Sequence, residues 1–229
     1  MSTEIEISIQ SEPRIVVVAG SSSGAGKTAV AETVTGMLAQ LCRTAAVKIT
    51  VTHGERGCPH GGKGCQVCSS LGGDFQIVVT DSIISQPGTD TARLQASGGS
   101  PVVWAITRDT ALGPAWRETT ERIKNVDCIV VESNSLAVHL DTTLTLMVVD
   151  ASISQKIWKP SAGQLISTAD YIVFNNRGTQ EKRELLLREI ESLRGDLGDV
   201  LHVNHPHELV KNRRLIQSLK SICPDLAMQ

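Results

Sequence analysis

The chain has 229 residues, with 22 basic side chains against 24 acidic ones, 41% hydrophobic residues and only 3% aromatic ones. No apolar run approaches the ~20 residues that span a bilayer, and a net charge of −2 without a Lys/Arg cluster argues against nucleic acid or an anionic membrane as the main partner. Residues 1–10 lack the basic-then-apolar pattern of a leader, so a cytoplasmic location is expected, with Val, Ile, Leu and Ala filling the core of one domain.

A polar arm over 1–13 leads into a domain expected to run over 14–229. Residues 15–19 form a strand-length apolar run closed by Gly20, and 26–42 place Val30, Val34, Met37, Leu38 and Leu41 at helical spacing. The order is strand, glycine loop, helix. Further β-branched runs follow at 45–50, 75–80, 102–107, 128–132, 144–149, 171–175 and 200–204. Helical patterns fall at 91–97, 115–124, 163–169, 182–193 and 208–222. Strands apolar on both faces, alternating with helices, imply a mainly parallel sheet covered on both sides. The expected class is α/β, in three layers with about seven strands. The Gly/Cys/His-rich stretch 53–73 has no periodicity and reads as an insertion after the second strand.

Between the first strand and the first helix lies Ser21-Ser22-Ser23-Gly24-Ala25-Gly26-Lys27-Thr28. It matches the phosphate-binding pattern G-x-x-x-x-G-K-[ST], except that Ser21 holds the first glycine position and Gly20 comes one residue earlier. Gly24 and Gly26 let backbone N–H groups curl around an anion at the positive end of the following helix, which begins near Ala29. Lys27 is expected on the β- and γ-phosphates and Thr28 on Mg²⁺. The pattern predicts a nucleoside triphosphate as ligand and a P-loop NTPase fold. An acidic partner should emerge where a neighbouring parallel strand ends. Glu132, closing the run 128–132, is the leading candidate to orient water, and Asp81, just past the run 75–80, is the second.

The insertion carries Cys58, Cys65 and Cys68 as C-x6-C-x2-C, with His60 inside and His53 five residues ahead of Cys58. Three thiolates and one imidazole suit a tetrahedral Zn²⁺ site made of Cys58, His60, Cys65 and Cys68. A redox dithiol or iron–sulfur cluster, and free surface thiols, stay open beside it. Cys42, Cys128 and Cys223 fall in helix or strand patterns and read as small buried hydrophobes. His202, His205 and His207 read as a solvated loop beside the base pocket.

Four stretches together resemble the MobB family of molybdopterin-guanine dinucleotide biosynthesis, within a wider group of dimerising GTPases and metal-chaperone ATPases. They are the loop 20–28, the strand Ala46-Val47-Lys48-Ile49-Thr50 with His53 after it, Gln86-Pro87-Gly88-Thr89-Asp90-Thr91-Ala92-Arg93 leading into Ala96-Ser97-Gly98-Gly99, and Ile129-Val130-Val131-Glu132. The resemblance covers about 14–135 and nominates Lys48, Asp90 and Arg93 for the nucleotide and metal site. Read from spacing alone, Asp90 and Arg93 are three apart at a helix start and face either each other or the phosphates. The resemblance also implies a homodimer and a partner among cofactor-biosynthesis enzymes or metalloenzyme clients. Three departures stand out. The family has no Cys-rich loop that aligns with Cys58 to Cys68. Ser133 replaces the glycine that usually follows the strand-end glutamate. In the base-reading segment Val173-Phe174-Asn175-Asn176-Arg177-Gly178, Asn175 is kept, but Gly178 stands where GTP-specific relatives carry Asp.

The expectation is a Mg²⁺-dependent ATP- or GTP-binding protein with slow hydrolysis, acting in molybdenum or other metallocofactor assembly. A small-molecule kinase and a non-hydrolysing, nucleotide-switched adaptor are the alternatives.

Overall fold

The computed structural model describes residues 12–52 and 71–223. The expected zinc ligands Cys58, His60, Cys65 and Cys68, together with His53, lie outside the described residues.

Strand β1 (Arg14–Gly20) is buried from Val16 onward. Its branched side chains alternate between the two faces of the sheet. Val16 and Val18 join the core beneath helix α1 (Lys27–Ala39), while Val17 and Ala19 point into the cores of the opposite face. Each such burial contributes about 1.5–3 kcal/mol. A strand buried on both sides belongs at the centre of a sheet, and β1 is there. Around it lie β2 (Thr44–Thr52), β3 (Phe75–Val78), β4 (Val102–Arg108), β5 (Cys128–Glu132), β6 (Leu144–Asp150), β7 (Tyr171–Asn175) and β8 (Val200–Val203), in the order β3-β4-β2-β5-β1-β6-β7-β8. The described residues thus form eight strands where about seven were expected, because every apolar run became one. All neighbours pair parallel except β3, which closes the β4 edge antiparallel.

Helices α2 (Asp81–Ile84), α3 (Asp90–Ala96), α4 (Leu112–Arg122), α5 (Ala162–Thr168), α6 (Gln180–Arg194) and α7 (Arg213–Ile222) complete the layers. Leu94 of α3 and Leu215 and Leu219 of α7 share the core of α1. Leu112 of α4, and Leu165, Ile166, Leu186 and Ile190 of α5 and α6, cover the other face. None of these helices is long and apolar enough to cross a membrane.

The helix expected over 208–222 is split. Pro206–Lys211 is a 3-10 turn, and a new helix starts where the Asn212 Oδ1 accepts from the Leu215 N–H at 3.0 Å. An Asn side chain satisfies an orphan N–H at a helix start, so it favours a break over continuation. Threonines do the same for α3 and α6, where the Thr89 and Thr179 hydroxyls accept from Ala92 and Lys182.

Two of the three cysteines expected as unpaired core residues are joined instead. Cys42, just past α1, and Cys223, just past α7, form a disulfide with Cα atoms 6.0 Å apart. Spacing in sequence hid the pair, since 181 residues separate them and only the packing of both helices on one sheet face brings them together. Cys128 is free and buried, and burial pushes its thiol up to about 12, which leaves it a neutral core residue.

Candidate functional site: the phosphate loop and its charges

All parallel strands end on the side where the loop after β1 opens, so their last residues converge there. Gly24 and Gly26 adopt left-handed φ values of 76° and 100°, and Gly26 caps α1. Gly20 solves the mismatch noticed in the sequence. A Cβ at Gly20 would stand 2.5 Å from the Lys27 Cγ, so the glycine needed for close approach sits one position early and Ser21 is tolerated after it. The Lys27 side chain folds back over that glycine, and its Nζ donates to the Ser22 carbonyl at 3.2 Å.

Gly20 is held from across the sheet. The Asn134 Oδ1 accepts from the Gly20 N–H at 3.1 Å, and the Asn134 Nδ2 donates to the Gly20 carbonyl at 2.7 Å. Two further buried contacts support this clamp. The Ser133 N–H donates to the Val18 carbonyl at 3.2 Å, and the Ser133 hydroxyl accepts from the Leu136 N–H at 3.1 Å. A serine after Glu132 therefore has work that a glycine could not do.

Glu132 is buried at the end of β5, and its Oε1 accepts from the Thr28 hydroxyl at 3.1 Å and from the Lys48 Nζ at 2.6 Å. Lys48 is its lateral neighbour in the β2–β5 register. The same ammonium donates to the Asp90 Oδ2 at 2.7 Å from the first turn of α3. Burial opposes the charge on Lys48, but Glu132 and Asp90 together outweigh it and hold the pKa above the ordinary lysine value. Burial likewise works against the Asp90 carboxylate, yet the hydrogen bond from Lys48 and its charge hold that carboxyl below its usual range. Lys48 and Asp90 are thus held in their charged forms at neutral pH, and the Glu132 side chain is bonded to the same ammonium.

Lys27 has the reverse environment. Burial, then the neighbouring Lys159, bring its pKa down from 10.5 to about 8, with Glu132 pulling the other way. Lys159 lies in the loop before α5, and its backbone N–H donates to the Ser21 carbonyl at 2.7 Å. Burial and the nearby Lys48 lower its pKa as well. Two under-compensated ammonium groups beside a glycine loop call for an anion.

The remaining nominated residues divide. Ser21, Ser22 and Ala25 are buried inside the loop, while Ser23 and Gly24 are exposed at its tip. Asn175, buried at the end of β7, places its Nδ2 3.9 Å from where a Cβ on Gly26 would be. Arg93 makes its ion pair with α1, its Nη2 binding the Glu32 Oε2 at 2.6 Å, while its charge also helps to lower the Asp90 carboxyl. Asp81 is not brought to the site. β3 runs antiparallel, so its far end opens on the opposite side of the sheet, where the exposed Asp81 accepts from Gln95 at 3.1 Å. Gly178 takes φ 90°, and a Cβ there would approach the Ala151 carbonyl oxygen to 3.0 Å. That backbone contact explains why no carboxylate occupies the position. A groove of about 800 Å³ starts at Ala29 and runs along α1 between Met37 and the rings of His205 and His207, which stack 5.5 Å apart.

Asn134 and Lys159 were missed by sequence reasoning. Asn134 had a weak signal, a polar residue two positions after the strand-end glutamate. Lys159 had none, because only tertiary folding carries its loop over Ser21.

Four of the seven buried side-chain polar atoms without a partner among the described residues surround this mouth, namely Ser21 Oγ, Ser22 Oγ, Glu132 Oε2 and Asn175 Oδ1. Buried polar atoms are rarely left unmet, so their clustering marks a binding site. Fold and loop together define the class: this is the three-layer α/β fold of the P-loop NTPases.

No protein-family model matches the chain, and no curated protein does. Among solved structures, the LAO/AO transport system kinase is similar with a TM-score of 0.50 at 15% identity, over 93% of this chain and 60% of its own. This chain therefore spans less than two thirds of that structure, and the likeness is one of fold. A ParA family ATPase from Chlorobium tepidum TLS (12% identity, TM-score 0.43, 95% of this chain and 93% of its own) is also similar. So is the MinC:MinD cell division protein complex from Aquifex aeolicus (13% identity, TM-score 0.44, 94% and 89%).

Proposed function

We propose that the chain binds ATP or GTP with Mg²⁺ and hydrolyses it slowly. The observation that carries this reading is the convergence of Thr28, Glu132, Lys48 and Asp90 at the mouth of a phosphate loop whose lysine lacks a carboxylate partner of its own. The donor set fits Mg²⁺: the Thr28 hydroxyl and the buried, unpartnered Glu132 Oε2 are hard oxygen ligands, and Asp90 stands beside them. When bound, the ion would neutralise charge on the β- and γ-phosphates. Lys27 would do the same from the opposite side. Glu132, positioned by the hydrogen bond from Lys48, would accept a hydrogen bond from the attacking water and orient it. Loop N–H groups, fixed by the Asn134 clamp on Gly20, would cradle the phosphates without rearrangement.

The four stretches that resemble the MobB family support a role in assembly or delivery of a molybdenum or other metallocofactor by a homodimer; the C-x6-C-x2-C spacing, not that resemblance, supports zinc on Cys58, His60, Cys65 and Cys68, and composition supports a cytoplasmic location. The Cys42–Cys223 disulfide is the feature that pulls against a reducing compartment. Thiol titration of protein alkylated at lysis decides that point, with both cysteines modified if the chain is cytoplasmic.

The test is phosphate release from ATP and from GTP with Mg²⁺. Turnover is expected with at least one nucleotide, falling on the order of 10²–10³-fold in Lys27→Ala. No release from either, with nucleotide still bound, would leave the adaptor reading standing instead. The Asp90 carboxylate, bonded through Oδ2 to Lys48 yet partly exposed at the mouth, favours a kinase as the second reading, since its exposed edge could face an acceptor hydroxyl. Phosphate recovered on an added metabolite would establish that reading.

A further inference from the structure

We propose that Lys159 is a second phosphate-contacting cation, supplied by the same chain, that recognises the terminal phosphate of the bound nucleotide; this rests on the nucleotide-binding reading above. Its backbone is fixed on both sides. The Lys159 N–H donates to the Ser21 carbonyl at 2.7 Å, and the Lys159 carbonyl accepts from the Ala162 N–H at 2.9 Å, where α5 begins. The residue is therefore tied to the first turn of the phosphate loop, and its position follows that loop.

The side chain is half-buried, and no hydrogen bond or ion pair engages its ammonium group among the described residues. Lys48, with which Lys159 interacts electrostatically, is bonded to two carboxylates. At the mouth three lysines, Lys27, Lys48 and Lys159, face two carboxylates, Glu132 and Asp90, and both carboxylates are already committed to Lys48. The missing counter-charge is anionic, and Lys27 and Lys159 are the cations that lack one. Two serine hydroxyls of the same loop, Ser21 and Ser22, are buried without partners and would add neutral donors to the same anion.

Position along the loop selects which phosphate. On the reading above, the sugar and base end of the nucleotide lies toward Asn175, beside Gly26. Glu132 and Thr28 mark the other end, where they would hold Mg²⁺ and the ion would supply positive charge to the terminal phosphates. Lys159 interacts electrostatically with Glu132 and Lys48, so it belongs to the terminal-phosphate end. A diphosphate would fill the part of the loop under Lys27 and leave Lys159 unengaged.

The discriminating measurement is affinity for a non-hydrolysable triphosphate analogue and for the diphosphate, both with Mg²⁺, in the wild type, Lys159→Ala and Lys159→Arg. Lys159→Ala is expected to weaken the triphosphate analogue by roughly tenfold or more while the diphosphate changes less than about twofold, with Arg restoring part of the loss. Undiminished diphosphate binding also shows that the variant is folded. Equal weakening of both ligands would mean a structural role in holding the loop and would overturn the proposal, as would no change in either. If the wild type binds neither nucleotide, the nucleotide reading itself fails and takes this inference with it. Wild-type binding without discrimination at Lys159 sinks the inference alone.

Discussion

The two halves of the mouth are built differently. On the phosphate side, β1, β2 and β5 deliver groups already in contact: Thr28 on Glu132, Glu132 and Asp90 on Lys48, and Asn134 on Gly20. On the base side, β7 delivers a buried Asn175 whose side-chain Oδ1 has no partner among the described residues. Arg177 reaches Asp150 only at 3.5 Å, and Gly178 admits no side chain. One half is assembled before ligand arrives, while the other offers a few acceptors and donors that a base must complete. Such an arrangement commits the protein to a polyphosphate more firmly than to a particular base.

The sharpest way to break the contrast is Glu132→Gln, which keeps the shape and hydrogen-bonding length but removes the charge. Turnover should fall on the order of 10²-fold with triphosphate affinity much less affected, read as a loss in kcat rather than in KM. Equal losses in both would make Glu132 a binding group only. Next comes the clamp. Asn134→Ala removes two buried hydrogen bonds from Gly20 and should lower stability by about 1–3 kcal/mol, measured by urea denaturation, with a parallel loss of nucleotide affinity. An unchanged midpoint would show that the loop does not depend on β5.

A third test uses protons. The pKa of Lys27 is near 8 in the folded chain against 10.5 when unfolded, so between those values the unfolded chain binds more protons. This group therefore makes the ligand-free protein more stable as pH rises from about 8 toward 10.5, and its buried ammonium weighs against folding below that window. Phosphate would restore the ammonium. Nucleotide binding at pH 8.5–9 should accordingly take up protons, seen as a dependence of calorimetric heat on buffer ionisation enthalpy, and that dependence should shrink in Lys27→Arg. The smallest expected effect is on the base side. Guanine selection needs an acceptor for its ring N–H and amino groups, which Gly178 cannot supply. ATP and GTP affinities are expected within about tenfold of each other, about 1.4 kcal/mol. A hundredfold preference for either would mean that Asn175 and its surroundings read the base well.

Much of the phosphate side was legible in the residues because its demands are local. A loop that curls around an anion needs glycine at two left-handed positions and a lysine at the helix start, and those types occur in order over eight residues. The sheet was legible for a similar reason, since strands buried on both faces carry continuous β-branched runs. What stayed hidden depends on residues far apart in sequence. Lys48 meets Glu132 across 84 positions, and Asn134 meets Gly20 across 114. Asp81 looked like a site residue because it follows a strand, and only the antiparallel direction of that strand removes it. Arg93 looked like an ion-pair partner of Asp90 until α1 supplied Glu32.

The clamp between Asn134 and Gly20 has a mechanical consequence. It welds the end of β5 to the start of the phosphate loop, so the carboxylate that would sense the terminal phosphate and the backbone that grips it move as one piece. The chain then runs through 135–143, a partly exposed stretch tied down at Leu136, before it re-enters the sheet as β6. Any displacement of Glu132 when a phosphate departs cannot be absorbed at Asn134. It would be passed forward into that stretch, the surface segment that follows the clamp in the chain.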